Sequence, residues 1–171
     1  TSIVHFLLRE IQQLSFSISA CSRAKRENEE EGKDYHFLGT EGFKNKILED
    51  SFLEWEEVYE NQYYGTLRSE LKRIWQKGQV AIFDLDVVGG LNIKKQYPSE
   101  CLAIFIMPPS LKVLQERLEK RGSESKDSLQ KRITKAKLEI AKSPKFDKVI
   151  LNDNFDLACK QAKQLIQKFI A

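Results

Sequence analysis

The chain alternates amphipathic helices with short continuous runs of apolar residues, and this alternation limits its fold more than any other feature. Residues 80–83 and 101–107 form two such runs, which are typical of strands buried on both faces of a parallel sheet. Apolar residues recur at helical spacing in residues 1–13 and again in residues 155–170. The alternation therefore predicts an α/β protein in which helices flank a parallel sheet.

One long segment departs from this pattern. Residues 20–66 contain short strand candidates, a small helix and a charged stretch, residues 20–34, that has no apolar periodicity. Loops of that length inside compact domains are often functional. We expect residues 20–66 to form a separate lobe, and residues 14–19, which precede it, to form one strand.

Charge and cysteine content argue against several kinds of partner. The 28 basic and 25 acidic residues give a net charge of +3, too weak a bias to indicate nucleic acid or a membrane. The three cysteines lie far apart without a CxxC spacing, as expected for reduced thiols of a cytoplasmic protein. Because the chain begins with Thr1 directly in a helical pattern, we expect a segment to be missing upstream.

The charged stretch contains two arginines, and a tyrosine follows it. Arg23 and Arg26 lie three residues apart, shortly after a strand end, and Tyr35 comes directly after the stretch. Guanidinium groups offer planar pairs of donors that match phosphate oxygens, and a tyrosine hydroxyl can add a further donor. The residues can therefore hold a phosphate, although from them alone a solvated charged loop is the preferred interpretation.

A glutamate and a threonine suggest recognition of a base. Glu54 lies in a strand candidate, and Thr66 follows twelve residues later. A carboxylate can accept two parallel hydrogen bonds, and guanine presents N1–H and a 2-amino group side by side, a pair that adenine lacks. Glu54 is thus a candidate guanine-binding residue, with an exposed strand glutamate as the alternative.

Two aspartates end the first apolar run. Asp84 and Asp86 alternate along the chain, so both carboxylates share one face of the strand end. They can orient the water ligands of magnesium or hold arginines, and helix capping is the alternative.

Three arginines occupy the later helices. Arg117 and Arg121 lie four residues apart on one helix face, and Arg132 lies in the next helix. A mobile element carrying such arginines can neutralise charge on a transferring phosphoryl group, although basic helices are usually only solvated.

The order of these segments resembles the guanylate kinase family over essentially the whole chain. The segments that carry the resemblance are GKDY after the paired arginines, then LEW, YYGT, IFDLD, PPS, RLEKRG and ILND. It implies a nucleoside monophosphate kinase fold with a core (residues 1–19, 67–116 and 143–171), a GMP-binding lobe (20–66) and a lid (117–142). It also implies magnesium-dependent transfer of the γ-phosphoryl group of ATP to GMP, giving ADP and GDP, in the purine metabolism of the cytoplasm.

The resemblance also assigns roles to single residues. The implied GMP-binding residues are Ser19, Arg23, Arg26, Tyr35, Glu54, Tyr64, Thr66 and Asp86. The residues implied in phosphoryl transfer are Arg117, Arg121, Arg132 and Asp84. The implied ATP contacts are Thr1, Arg117, Arg121 and Asn152, and magnesium would lie near Thr1 and Asp84, through water.

Two departures from the family pattern bear on function. The family's loop GxxxxGK[ST] should directly precede the first helix, and here only its last residue is present, as Thr1. Because that loop binds the ATP phosphates, we expect the chain as written to be inactive without it. The alternative is therefore a non-catalytic guanylate-kinase-like module that binds phosphopeptides. In addition, the stretch between Glu54 and Tyr64 is one residue longer than usual.

Overall fold

The computed structural model describes residues 2–120 and 126–171, with side chains from residue 129 onward in the second range. Thr1 and Arg121 therefore lie outside the described residues, and their roles stay predictions. The chain divides into two compact units, Thr1–Tyr97 and Pro98–Ala171, each of which has its own helices and strands.

The first unit contains four helices and six strands among its described residues. They are α1 (Ser2–Glu10), β1 (Leu14–Phe16), β2 (Ser19–Cys21), β3 (His36–Phe37), α2 (Gly39–Leu48), β4 (Phe52–Tyr59), β5 (Gln62–Leu67), α3 (Arg68–Trp75), β6 (Val80–Ile82) and α4 (Val87–Gln96). The described part of the second unit contains β7 (Ile104–Met107), α5 (Leu111–Lys120), α6 (Lys126–Ile140), β8 (Lys148–Leu151) and α7 (Phe155–Ile170), with a short 3₁₀ turn before β8.

The apolar runs form parallel pairs, as the sequence predicts. β1 pairs in parallel with β6, with Leu14 opposite Val80, and β7 pairs in parallel with β8. The predicted single strand at residues 14–19 is wrong, because the chain changes sheets at its middle. β1 pairs with β6, whereas β2 pairs with β3 and β5 of another sheet. No helix in the described ranges is both long and apolar enough to cross a membrane.

The second sheet of the first unit has the strand order β3-β2-β5-β4 and is mostly antiparallel. β4 and β5 form a hairpin whose turn contains Asn61 at φ 57°, a left-handed conformation that asparagine tolerates. The register shifts at Leu53 and again at Val58, so β4 bulges twice. Between the bulges the pairing is regular, and Thr66 lies opposite Glu54. The second bulge absorbs a residue at the hairpin end, so the length of this stretch leaves the Glu54 pairing undisturbed.

The first bulge places Phe52 and Glu54 on opposite faces of this sheet. On a regular strand, residues two apart would share a face. Here Phe52 instead packs into a buried cluster with Ala20 and Phe43, and the Phe43 and Phe52 rings stack at 4.3 Å between centroids. Glu54, beyond the bulge, contacts Thr66 on the other face. One face of the sheet is therefore covered by α2, and the opposite face is left for polar side chains.

Candidate active site

Three adjacent strands bring together the side chains predicted to contact the base. Ser19 on β2 lies opposite Thr66 on β5, which lies opposite Glu54 on β4. Direct cross-strand partners project from the same face of a sheet. Thr66 is fully buried and Glu54 is only 8% exposed, so the alternative of an exposed strand glutamate is wrong.

The Glu54 carboxylate has one side-chain hydrogen-bond donor among the residues described. The Thr66 hydroxyl donates to Oε1 at 2.7 Å. Burial raises the pKa of Glu54; the hydrogen bond from the Thr66 hydroxyl opposes this shift, the nearby charge of Asp86 adds to it, and a hydrogen bond from the Thr66 backbone also opposes it. A carboxylate with donors from one residue retains acceptor capacity, which a ligand with two adjacent N–H groups could use.

Asp86 caps α4, as the alternative for the aspartate pair proposes. Its Oδ1 accepts a hydrogen bond from the Gly89 N–H at 2.8 Å, which satisfies one of the unpaired donors of the first helical turn. Asp84, two residues earlier, is exposed and close enough to Tyr35 for its charge to contribute to the raised pKa of that phenol. In the ranges that the structure describes, no group of three His, Cys, Asp or Glu side chains is arranged to hold a metal ion.

Arg23 is the central residue of the predicted phosphate-binding site. The structure gives it a partner that the sequence did not reveal. Its two terminal nitrogens each donate to a different oxygen of Glu29, both at 2.6 Å, and Nε donates to the Tyr64 hydroxyl at 3.1 Å. The guanidinium also lies over the Tyr35 ring, 5.0 Å from its centroid. The hydrogen bonds from Arg23 lower the pKa of Glu29 to about 2, so Glu29 stays ionised. Arg23 is thus held by several partners and is mostly shielded from solvent.

The two tyrosines and the second arginine surround this ion pair. The rings of Tyr35 and Tyr64 meet edge to face, with centroids 6.0 Å apart. Burial raises the pKa of Tyr35, which keeps its hydroxyl protonated and able to donate. The Arg26 side chain is exposed, while its backbone N–H donates to Glu29 at 2.9 Å.

The side chains predicted to bind the base and the phosphate project from one surface. Tyr64 and Thr66 lie two apart on β5, so they share the face opposite to α2, at a spacing of about 7 Å. The buried Glu54 carboxylate, beside Thr66, therefore lies at one end of this surface, and the Arg23 guanidinium, beside Tyr64, lies at the other. Such an arrangement suits a ligand with a hydrogen-bonding base and an anionic group.

In the second unit, the structure brings Arg117 and Asn152 together through the backbone. Arg117, on α5, donates to the carbonyl of Asn152 at 2.8 Å and to that of Asp153 at 3.3 Å. Asn152 itself follows β8, and its N–H donates to the Met107 carbonyl at 2.7 Å. Arg132 lies exposed on α6. The contacts fix one predicted lid arginine against the strand-end loop that the sequence assigns to ATP.

Comparison with known proteins identifies the family. A family model described as guanylate kinase matches residues 2–169. The chain belongs to the guanylate kinase family. Guanylate kinase of Bacteroides fragilis is 43% identical over 170 residues, which make up 99% of this chain and 83% of that protein. Guanylate kinase of Porphyromonas gingivalis is 44% identical over 172 residues, with coverage of 100% and 92%.

A solved structure agrees with this assignment. The crystal structure of guanylate kinase from Anaplasma phagocytophilum superimposes with a TM-score of 0.80 at 26% identity, covering 98% of this chain and 80% of that chain. The predicted family and α/β fold class are confirmed, and none of the comparisons supports the phosphopeptide-binding alternative. The roles of single residues and the division into core, lobe and lid stay predictions.

Sequence reasoning missed a second buried carboxylate of this guanylate kinase family member. Glu70, on α3, is 6% exposed and accepts from Arg73, at 2.8 and 3.0 Å, and from the Ile18 N–H, at 3.0 Å. Arg73 also donates to the Phe16 carbonyl at 3.1 Å. The Glu70–Arg73 pair therefore hydrogen-bonds to the backbone where the chain passes from one sheet to the other. The only sequence signal is the three-residue spacing of Glu70 and Arg73, which is also common on solvated helices.

Proposed function

We propose that this chain transfers the γ-phosphoryl group of ATP to GMP, giving ADP and GDP. Family membership makes a kinase of this kind the leading hypothesis. The observation that carries the proposal is the buried Glu54–Thr66 pair, which shares one face of a sheet with Tyr64, the hydrogen-bond partner of Arg23. That face offers an acceptor for a base and donors for a phosphate on one rigid support.

Guanine would bind at the carboxylate end. Its N1–H and 2-amino group can donate in parallel to the two oxygens of Glu54, while Thr66 keeps Oε1 in position. An adenine in the same place presents no such pair of donors and would leave a buried carboxylate unsatisfied, which is costly. Ser19 and Asp86 adjoin this region and are proposed to add contacts to the base.

The GMP phosphate would bind at the arginine end. Arg23 already holds a two-oxygen anion, the Glu29 carboxylate, in the bidentate manner that phosphate also accepts. GMP would share or take over this guanidinium, and the hydroxyls of Tyr35 and Tyr64 would donate to the remaining oxygens. Arg26, whose side chain is exposed, can turn towards the same group.

Transfer itself would depend on position and charge more than on covalent chemistry. Arg117, Arg121 and Arg132 are proposed to neutralise the transferring group, and Thr1 and Asn152 to contact ATP.

Magnesium is the expected metal, and Asp84 fits it best. Magnesium prefers oxygen ligands and keeps several of its waters, so one exposed carboxylate at a strand end is a suitable contact through water. When bound, the ion would neutralise charge on the ATP phosphates.

The test is ADP production from Mg-ATP with GMP, AMP, UMP or CMP as the acceptor. The preparation carries a phosphate loop upstream of Thr1, verified by intact mass, because the family's ATP site requires it. We expect turnover with GMP alone. Turnover with another nucleotide would contradict the proposed reading of guanine, and no turnover with any acceptor would favour phosphopeptide binding.

A further inference from the structure

Gly89 lies in the first turn of α4, directly against the proposed guanine-binding carboxylates. It is buried, and its N–H donates to Asp86 Oδ1 at 2.8 Å. A Cβ atom at this position would lie 2.7 Å from Glu54 Oε2, 3.3 Å from Glu54 Cδ and 3.2 Å from Asp86 Oδ1. Any side chain at residue 89 would therefore displace the end of the Glu54 side chain.

The need for glycine at this position is spatial and not conformational. The described glycines with positive φ are Gly32, Gly39 and Gly78, and Gly89 is not among them. Helical Gly42 shows the contrast, since a Cβ there would meet only the Leu38 Cβ, at an ordinary 3.6 Å. Glycine inside a helix is unfavourable by itself, so the absence of a side chain at residue 89 calls for a packing reason.

We propose that Gly89 is a positioning residue for guanine selection, because the absence of a side chain lets Glu54 lie against the first turn of α4. The inference rests on the proposed function and extends it to a residue that would not touch the nucleotide. In this place the carboxylate accepts a hydrogen bond from the Thr66 hydroxyl at Oε1, and its Oε2 lies against the first turn of α4.

The contact with the first turn of α4 sets where the Glu54 carboxylate lies. A methyl group at residue 89 would push the carboxylate away from this turn and out of line with the two guanine donors. Misplacements of about 1 Å can cost about 100-fold in activity.

The first test compares binding of GMP and IMP to wild type and Gly89→Ala, since hypoxanthine retains N1–H but lacks the 2-amino group. We expect GMP affinity to fall about 30-fold and IMP affinity much less, so that the preference for GMP largely disappears. Gly42→Ala, the same change in a helix with room for it, should keep wild-type affinities. Wild-type GMP/IMP selectivity in Gly89→Ala would overturn the inference, whereas failure of the wild-type chain to phosphorylate GMP would instead overturn the proposed function.

A second test covers the case in which Gly89→Ala does not fold. In a Glu54→Ala background the added methyl no longer meets the Glu54 carboxylate, and its remaining close contact is Asp86 Oδ1 at 3.2 Å. Glu54→Ala/Gly89→Ala should therefore unfold at nearly the same urea concentration as Glu54→Ala alone. Strong non-additivity of this kind marks a direct contact. If the double variant lost as much stability as Gly89→Ala in the wild-type background, contacts other than Glu54 would be responsible, and the inference would be wrong.

Discussion

Glu54 and Glu70 are buried almost equally, at 8% and 6% exposed, yet their surroundings have opposite effects on their acidity. For both, desolvation is the largest influence and raises the pKa. At Glu54 this influence prevails, with Asp86 adding to it. At Glu70 the hydrogen bonds from Arg73 and Ile18, together with the charges of Arg73 and His36, outweigh it and lower the pKa.

The difference separates the proposed binding group from a structural one. The Glu70 carboxylate is saturated by a guanidinium and a backbone N–H, so it has little to offer a ligand. The Glu54 carboxylate has one hydroxyl donor among the described residues and lies buried at a cost that a ligand with two N–H groups would offset. Burial alone therefore does not distinguish Glu54 from Glu70, whereas the hydrogen-bond donors around each carboxylate do.

The replacement Glu54→Gln should have the largest effect on activity. One acceptor oxygen becomes an amide donor that faces a donor of guanine, so kcat/KM for GMP should fall about 100-fold, as expected for loss of a charge-assisted pair. The KM for ATP should stay near the wild-type value. Steady-state kinetics with each substrate varied in turn measures both.

The same variant should keep its fold, which sets it apart from a change at Glu70. Thr66 can still donate to the amide oxygen, and a buried charge has been removed. Unchanged GMP kinetics in a folded Glu54→Gln protein would show that Glu54 does not bind guanine. Glu54 and Glu70 would then no longer differ in function.

The replacement Glu70→Gln should give the reverse result. An amide group would face the guanidinium of Arg73 or the Ile18 N–H, so the free energy of unfolding should fall by about 2 kcal/mol. The preference for GMP over other acceptors should not change. Urea unfolding measures the first effect and the acceptor panel the second.

A matched surface change provides the control. Glu49 pairs with Lys46 at 2.7 Å on an exposed helix end, and Glu49→Gln should leave the unfolding curve nearly unchanged. If Glu70→Gln were as mild as Glu49→Gln, the Glu70 cluster would not brace the crossing between the sheets. If Glu70→Gln abolished GMP selectivity at wild-type stability, Glu70 would belong to the site.

The sequence predicts much of the site that depends on local order. The strand candidate that contains Glu54 matches β4, and in the structure a hairpin with its turn at Asn61 brings Glu54 opposite Thr66. Arginine and tyrosine positions follow from the family motifs. The bulge at Leu53, which turns Glu54 away from α2, has no signal in a simple alternating pattern, because one unpaired residue changes the face of everything beyond it.

Contacts that the apolar pattern does not encode explain what the sequence did not reveal. Glu29 lies in a stretch without periodicity, so the pattern does not indicate that it meets Arg23, six residues earlier. Helix α4 contains two glycines and little amphipathic pattern, and was not predicted. The role of Gly89 is visible only when Glu54, 35 positions earlier, lies against it. The burial of Glu70 likewise depends on a strand end 52 residues away.

The smallest expected effect is a difference in the pH dependence of stability. A carboxyl group whose pKa is lowered on folding, such as Glu70, stabilises the fold above its ordinary pKa of 4.5, and this contribution disappears as the pH falls through the lowered value. Glu54, whose pKa is raised, does the opposite. Its folded form binds a proton more readily, so it costs stability at neutral pH and this cost shrinks as the pH falls towards 4.5.

Urea unfolding of wild type, Glu54→Gln and Glu70→Gln between pH 7 and pH 4 therefore tests the comparison directly. Glu54→Gln should be slightly more stable than wild type at pH 7, and this advantage should shrink first, above pH 4.5, because the raised pKa lies there. Glu70→Gln should be less stable at pH 7, with a deficit that persists to pH 4.5 and narrows only below it. If both differences from wild type had the same sign and the same pH profile, the two carboxylates would have equivalent environments, and unused acceptor capacity would no longer distinguish the binding group from the structural one.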